Sequence, residues 1–342
     1  MAFCSDNIND LWKIWENPCP YQNKSMKVGG TDPLFVGWSV AALRSNFIMK
    51  VARKSFDAGL PCPYPIDEIY LTHGHCDHSA SLFFYTLKNK NLRILVPREI
   101  LEITDEKIQK DYHLTESVMK YGPARYSIIG VEGGDCIPTT FMGHNALIEI
   151  FNSHHSVPTV SYGISIEKKT LKEKYKGLGP AEMGLIARSG IEVSKKSFVP
   201  YFLYVGDTDI SIFNRPVKKA KNWFLTLLFE FFTLLFEFFD QLYPNDDEKR
   251  IFYANELPNY QEHNRNIIDY PIIMIECTFL LYEDYDYSKE KKHIHWKDLK
   301  PFFELYPNTQ FILYHFSQRY KKSQIEEFLR DRPKNVTPWI SK

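Results

Sequence analysis

Neither sign of charge prevails in this chain: 42 lysines and arginines stand against 42 aspartates and glutamates in 342 residues. That balance excludes a global electrostatic grip on nucleic acid, so any basic contact surface has to be local. Cysteine is sparse and unpatterned. Cys4, Cys19, Cys62, Cys76, Cys136 and Cys277 form no CxxC pair and read as free thiols in a reducing compartment rather than a disulfide framework. The opening MAFCSDNIND has no basic n-region and no apolar run, so no secretory signal is visible and a cytoplasmic protein is expected.

A long charge-free hydrophobic run is also missing. Between Trp223 and Tyr243 the segment TLLFEFF occurs at 226–232 and again at 233–239, but Glu230, Glu237 and Asp240 interrupt it. Each carboxylate costs roughly 3 kcal/mol at a membrane centre against about 0.5 gained per Leu or Phe, so no stable span is expected. Thr226, Glu230, Thr233, Glu237 and Asp240 fall on one polar stripe at helical spacing. The expectation is an apolar helical insertion near 217–250, largely buried or used as a homodimer contact. A membrane-surface role is disfavoured because the stripe is acidic.

What is present is core-forming sequence: 44% of residues are hydrophobic and 15% aromatic. Apolar runs predict strands at 35–50, 66–71, 92–96, 146–151, 160–166, 201–205, 271–275 and 310–314. Helical patterns are expected at 77–90, 97–110, 296–305 and 322–330. This mixture predicts a layered α/β (α+β) fold, read as a single domain over 1–342.

The chemistry concentrates in His73-Gly74-His75-Cys76-Asp77-His78, at the end of the apolar run Ile69-Tyr70-Leu71. Three imidazoles and a carboxylate within six residues are a ligand set for zinc, which takes such atoms at about 2.0–2.2 Å. Burying the cluster without a metal would be costly. Mn²⁺ and Fe use the same nitrogen and oxygen ligands, so they remain alternatives.

The spacing HxHxDH resembles the metallo-β-lactamase superfamily, whose fold is two β-sheets packed face to face and covered by helices, an αββα four-layer sandwich. The resemblance implies further ligands, in order, from later loops. Asn152-Ser153-His154-His155-Ser156 offers the third histidine; His155 is preferred because SVPTVSYGISI follows it, with His154 as the alternative. Gly206-Asp207-Thr208 offers the aspartate that bridges the metals, with Asp209 nearby, and His315 offers the last ligand. One zinc would then see His73, His75, His155 and Asp207; the other would see Asp77, His78, His315 and Asp207.

His315-Phe316-Ser317-Gln318-Arg319-Tyr320 resembles the C-terminal motif of ribonuclease Z, the endonuclease that removes the 3′ trailer of precursor tRNA. Ile275-Glu276-Cys277-Thr278-Phe279 resembles that family's strand with a catalytic Glu. Lys292-His293-Ile294-His295-Trp296 resembles its later histidine motif, where spacing favours His293 over His295. Leu178-Gly179-Pro180 with Gly184 and Gly190 resembles the stretch before the Gly-Asp-Thr motif. Cys76 departs from the family, which places Gly there, and residues 156–206 leave little room for its tRNA-clamping arm.

The resemblance implies a dimetal-activated hydroxide oriented by Asp77, with Glu276 and His293 supplying the proton for the leaving ribose oxygen. Ser317 and Arg319 would touch a phosphate. Lys168, Lys169 and Lys172, with Lys174 and Lys176, would form a short basic arm near 167–192 that contacts RNA. The expected partner is RNA, in particular precursor tRNA. Two other classes fit the same sequence: a hydrolase of another ester, thioester or lactone, and a binding or assembly protein that keeps the fold.

Overall fold

The computed structural model describes residues 15, 18–20, 26–28, 30–116, 126–214, 251–257 and 261–341. The apolar segment at 223–243, its proposed helix and its dimer contact lie outside them. Among the described residues, no helix is long and apolar enough to cross a membrane.

The strands, in chain order, are β1 (Phe35–Val40), β2 (Arg44–Met49), β3 (Lys54–Phe56), β4 (Glu68–Tyr70), β5 (Leu92–Pro97), β6 (Tyr126–Val131), β7 (Asp135–Phe141) and β8 (His144–Asn152). They continue with β9 (Val160–Leu171), β10 (Ser194–Tyr204), β11 (Ile251–Tyr253), β12 (Gln261–Glu262), β13 (Ile272–Glu276), β14 (Gln310–Tyr314) and β15 (Val336–Pro338). Helices are α1 (Cys76–Ser79), α2 (Leu82–Lys88), α3 (Leu101–Glu116), α4 (Pro180–Arg188), α5 (Tyr285–Lys291), α6 (Trp296–Leu305) and α7 (Lys322–Phe328).

One sheet runs β1-β2-β3-β4-β5-β6-β11 and the other β12-β7-β8-β9-β10-β13-β14-β15. Period-2 alternation decides what each strand face meets. In β14, Ile312 and Tyr314 enter the core between the sheets while Phe311 and Leu313 face the opposite layer. In β5, Leu95 faces the inter-sheet core and Leu92, Ile94 and Val96 face outward. Leu82 and Tyr85 of α2 and Leu101 and Ile108 of α3 cover that outer face. Leu299 and Phe303 of α6 and Ile325 of α7 cover the other. The result is four layers, αββα.

Three expectations change in detail. The strand predicted over 35–50 is a hairpin, because the chain turns at Ala42, whose φ is 60°. The helix predicted over 77–90 is two helices. Ser81 N donates to Ala58 O at 2.8 Å instead of continuing the helical ladder, and Ala58 N donates to His78 O at 2.7 Å. The strand expected at 201–205 begins at Ser194, where it pairs with Leu171 across an antiparallel ribbon. β6, although apolar as YSIIGV, and β7 are not among the predicted strands; Pro138 and two threonines dilute β7.

Beyond Ile166, the β9–β10 ribbon leaves the buried sheet for half-buried and exposed positions, and it carries α4 between its strands. A buried charge network ties the two sheets on the core side. Glu68 accepts from Lys54 Nζ at 2.9 Å, Arg93 at 2.6 Å and Thr139 Oγ1 of the opposite sheet at 2.9 Å. Burial works against a charge on Glu68, but Lys54 and Arg93 outweigh it and hold its pKa below the usual value. Glu68→Ala leaves Lys54 buried and unpaired, and is expected to destabilise the fold by about 3–5 kcal/mol. The shift of the urea midpoint at constant slope measures it.

Candidate metal centre

Five strand ends deliver the polar residues. β10, β13 and β14 run parallel as neighbours, so Asp207, Glu276 and His315 emerge at one edge of their sheet. His155 follows β8, and the His73–His78 loop follows β4 of the facing sheet. The edges are locked where Val160 N donates to Thr72 O at 3.0 Å. Gly206 is required at that contact. A Cβ there would lie 2.7 Å from Thr72 Cβ and 2.9 Å from Val160 O.

The inner atoms crowd together. His75 Nδ1 is 3.1 Å from His73 Nε2 and 3.3 Å from His155 Nε2. His78 Nε2 is 3.3 Å from His315 Nε2. Asp207 Oδ2 lies 3.5 Å from both His78 and His315 Nε2 and 3.9 Å from His73 Nε2. Asp77 Oδ2 is 3.6 Å from His78 and 3.7 Å from His315. Ligand atoms of His73, His75 and His155, of His73, His78 and Asp207, and of Asp77, His78 and His315 each lie within 4.8 Å of one another.

The outer bonds decide what those inner atoms carry. Thr72 Oγ1 donates to Asp57, so it accepts from His73 Nδ1 at 2.9 Å. Asp57 itself accepts from His78 Nδ1 at 2.8 Å, and Lys292 O accepts from His155 Nδ1 at 3.1 Å. Thr278 Oγ1 donates to Glu276 and accepts from His315 Nδ1 at 3.0 Å. Every outer partner accepts, so four Nε2 lone pairs face inward beside two carboxylates. Asp207 Oδ1 is buried with no hydrogen-bond partner. Lone pairs converging at such distances repel unless a cation lies among them, and oriented imidazoles of this kind are characteristic of metal sites.

The titration behaviour follows from the same field. Burial, reinforced by the charge of His78, keeps the His73 pKa well below its usual value. Burial also lowers His155 and His75. Burial opposes a charge on His78 too, but Asp207, Asp57 and Asp77 outweigh it and raise its pKa to about 10. Asp77 resists its own burial through His315 and His78 and falls to about 2. A divalent cation among these atoms would compete with a proton for His78 Nε2.

Beside this cluster, Glu276 is fully buried and its Oε1 lies 2.8 Å from His293 Nδ1. Burial works against the imidazolium, but Glu276 dominates and raises the His293 pKa to about 9. Thr208 N also donates to Glu276 Oε1, at 3.0 Å.

His73, His75, Asp77, His78, His155, Asp207 and His315 are therefore brought together, with Glu276 and His293 adjoining them. His154 points away, its Nδ1 held by Asp209 at 2.5 Å. His295 also points away, accepting from Lys297 N and meeting Leu281 O. Ser317 is buried, with its N donating to Thr278 O and its hydroxyl accepting from Arg319 N. Arg319 is half-exposed, bonded to Asp284 at 3.2 Å and lying 4.5 Å over the Tyr287 ring. Lys168 and Lys169 lie towards the end of β9 and Lys172 follows it, and none of them has a place among the converging ligand atoms.

Asp57 is the residue that the sequence reading missed. It is fully buried with φ at 59°, and accepts from Thr72 N, Thr72 Oγ1, His78 Nδ1 and Tyr204 OH, each at 2.8 Å. Only its place after the apolar residue Phe56, ahead of the histidine loop, could have hinted at it.

The four-layer fold and this histidine–aspartate cluster define a metallo-β-lactamase-fold protein. No protein-family model matches the chain. It is 22% identical over 323 residues to tRNase Z TRZ1 of Arabidopsis thaliana, covering 91% of this chain and 94% of that protein. Against nuclear ribonuclease Z of Triticum aestivum it is 24% identical over 166 residues, covering 46% and 89%. Among solved structures, the short form of human tRNase Z aligns with a TM-score of 0.47 at 13% identity, over 89% of this chain and 95% of that one. The metallo-β-lactamase-fold protein YhfI of Bacillus subtilis aligns at 0.44 and 13%, over 88% and 93%. The chain has the metallo-β-lactamase fold and is similar, at low identity, to tRNase Z proteins.

Proposed function

We propose that this chain is a metal-dependent, ribonuclease Z-like endoribonuclease that cleaves the 3′ trailer from precursor tRNA. The observation that carries the reading is the Glu276–His293 pair set against the histidine–aspartate cluster, in a chain similar to tRNase Z TRZ1 over nearly its whole length. A departing ribose oxygen has to be protonated, and the buried Glu276–His293 pair beside the cluster is placed to supply that proton.

His73, His75, His155 and Asp207 would hold one ion, and Asp77, His78, His315 and Asp207 a second, with zinc as the proposed metal. Such ions, when bound, make a nucleophile available from water at neutral pH and polarise a phosphoryl oxygen. Asp77 orients the attacking water. Glu276 fixes the ring of His293 and keeps it charged, so that this imidazole hands a proton to the leaving oxygen. Arg319 has to exchange Asp284 for a phosphate to contribute.

The test compares 3′-extended precursor tRNA, an unstructured RNA of equal length, a small diester such as bis(p-nitrophenyl) phosphate, and an ester and a lactone. Precursor tRNA is expected to have the highest kcat/KM, with a cut at the trailer boundary. Preference for the ester or lactone would sink the reading; cleavage of the small diester alone would remove tRNA as the substrate.

On the projecting ribbon, Glu167 already engages Lys196 at 3.1 Å, while Lys168 and Lys169 are exposed. We propose that this arm grips the RNA backbone. Replacing Lys168, Lys169 and Lys172 with glutamine is expected to weaken binding evenly across RNA sequences. The slope of log K against log salt should also fall in magnitude, by about 0.7–0.9 for each phosphate that is no longer neutralised. An unchanged slope removes the arm from the interface.

A further inference from the structure

We infer that His154 and Asp209 form a clamp that fixes the separation between the two loops carrying His155 and Asp207. The clamp rests on the metal reading proposed above and assigns a positioning role to a pair outside the ligand set. His154 immediately precedes His155, and Asp209 lies two residues beyond Asp207. The loops that bear them come from strands β8 and β10, which are separated in their sheet by β9.

Three bonds cross between the loops at this point. His154 N donates to Thr208 Oγ1 at 2.9 Å, Asp209 N donates to His154 O at 3.0 Å, and His154 Nδ1 meets Asp209 Oδ2 at 2.5 Å. The second oxygen of Asp209 is occupied as well, accepting from Ser211 N at 2.9 Å. Both carboxylate oxygens are thereby oriented, and the imidazole is held in register with the backbone on each side.

The side chains of His154 and Asp209 are 41% and 27% exposed. An isolated ion pair at that exposure contributes little, because it has to order two side chains against solvent. Here Ser211 N already orients the Asp209 carboxylate, and the crossing bonds fix both main chains. The pair therefore acts on the relative position of the loops more than on global stability.

That position matters because ligand geometry tolerates little error. Productive constellations have to be held within about 0.5 Å, and partners behind the ligands commonly change metal affinity by about 10–100-fold. His155 has a second constraint in Lys292 O, and Asp207 sits next to Thr208, which is tied to Glu276. The His154–Asp209 contact adds a side-chain tie to the two main-chain N–H bonds that cross between the loops, against sliding of one past the other.

The test uses the full chain and Zn²⁺ itself, with affinity measured by competition against a chromophoric chelator and geometry read from the visible spectrum of the Co²⁺-loaded protein. His154→Ala and Asp209→Ala are each expected to weaken one zinc site by about 10–100-fold. The double variant should be no worse than either single one, as for partners in one interaction. His154→Asn, which places an amide donor where Nδ1 stood, should recover most of the affinity and the wild-type Co²⁺ spectrum. Circular dichroism and the melting temperature of the metal-free variants should match wild type. Wild-type affinity in His154→Ala and Asp209→Ala overturns the clamp, as do additive losses that His154→Asn does not repair. A wild-type chain that binds no zinc overturns the metal reading and the clamp with it.

Discussion

Replacing His293 with alanine should lower kcat for precursor tRNA cleavage by about 10²–10⁴-fold, the usual cost of removing a general acid. KM should change little, since the proton is needed in the transition state and not for binding. The pH profile carries the sharper signature. With its pKa raised to about 9 by Glu276 in the metal-free protein, His293 is held in its protonated form, and activity falls on the alkaline side as that proton is lost. In Glu276→Gln the opposing burial is left unbalanced, the imidazolium is disfavoured, and the alkaline limb moves to lower pH. Bound cations push the same way, so the wild-type limb lies below about 9, but the sign of the displacement is unchanged. The linked stability has the same sense. It is fully present below the ordinary histidine value of 6.5 and is lost as pH rises through the folded value near 9. A kcat–pH profile whose alkaline limb is the same in Glu276→Gln would remove His293 from the role of acid.

Asp57→Asn is expected to cost about 10–100-fold in metal affinity while leaving the backbone in place. Asparagine tolerates the left-handed conformation that Asp57 adopts, so strain is not the cause. The carboxylate accepts four hydrogen bonds, and those from His78 Nδ1 and Tyr204 OH end on the same oxygen, Oδ2. An amide nitrogen at that position is a donor facing two donors, and turning the amide only moves the conflict to Thr72. His78 then loses the acceptor that fixes its tautomer and presents its Nε2. A zinc titration of the variant checks this; unchanged affinity would show that His78 is oriented without Asp57.

How much of this is legible in the sequence depends on whether the signal is local. β14 reads QFILY, with four consecutive apolar residues that are all buried, and lies at 310–314, where the apolar run predicts it. His73, His75, Asp77 and His78 share one loop, so their ligand character is evident from spacing. The resemblance to ribonuclease Z carries the reading on to His155, Asp207 and His315, which chain distance alone could not link. Choosing between adjacent candidates is harder. His154 and His155 have the same side chain, and only the fold turns one toward Asp209 and the other toward His75. Asp57 carries no pattern because its partners are brought to it by two different sheets. The turn at Ala42 is hidden because alanine is not a turn signal; the sheet imposes its φ of 60°. The ribbon continuing β9 and β10 is obscured by lysines that read as loop although their backbones pair in register.

Cleavage of one 3′-extended precursor tRNA tests the proposed metal-dependent phosphodiesterase centre most directly. Wild type, chelator-treated wild type, the same sample after zinc is restored, and Asp77→Ala are compared, with bound metal counted in each. Two ions per chain, a single cut at the trailer boundary, loss of that cut with chelator and in Asp77→Ala, and its return with zinc are expected. Undiminished cleavage after the metal count has fallen to zero would contradict the account, as would no cleavage by a wild-type chain carrying both ions.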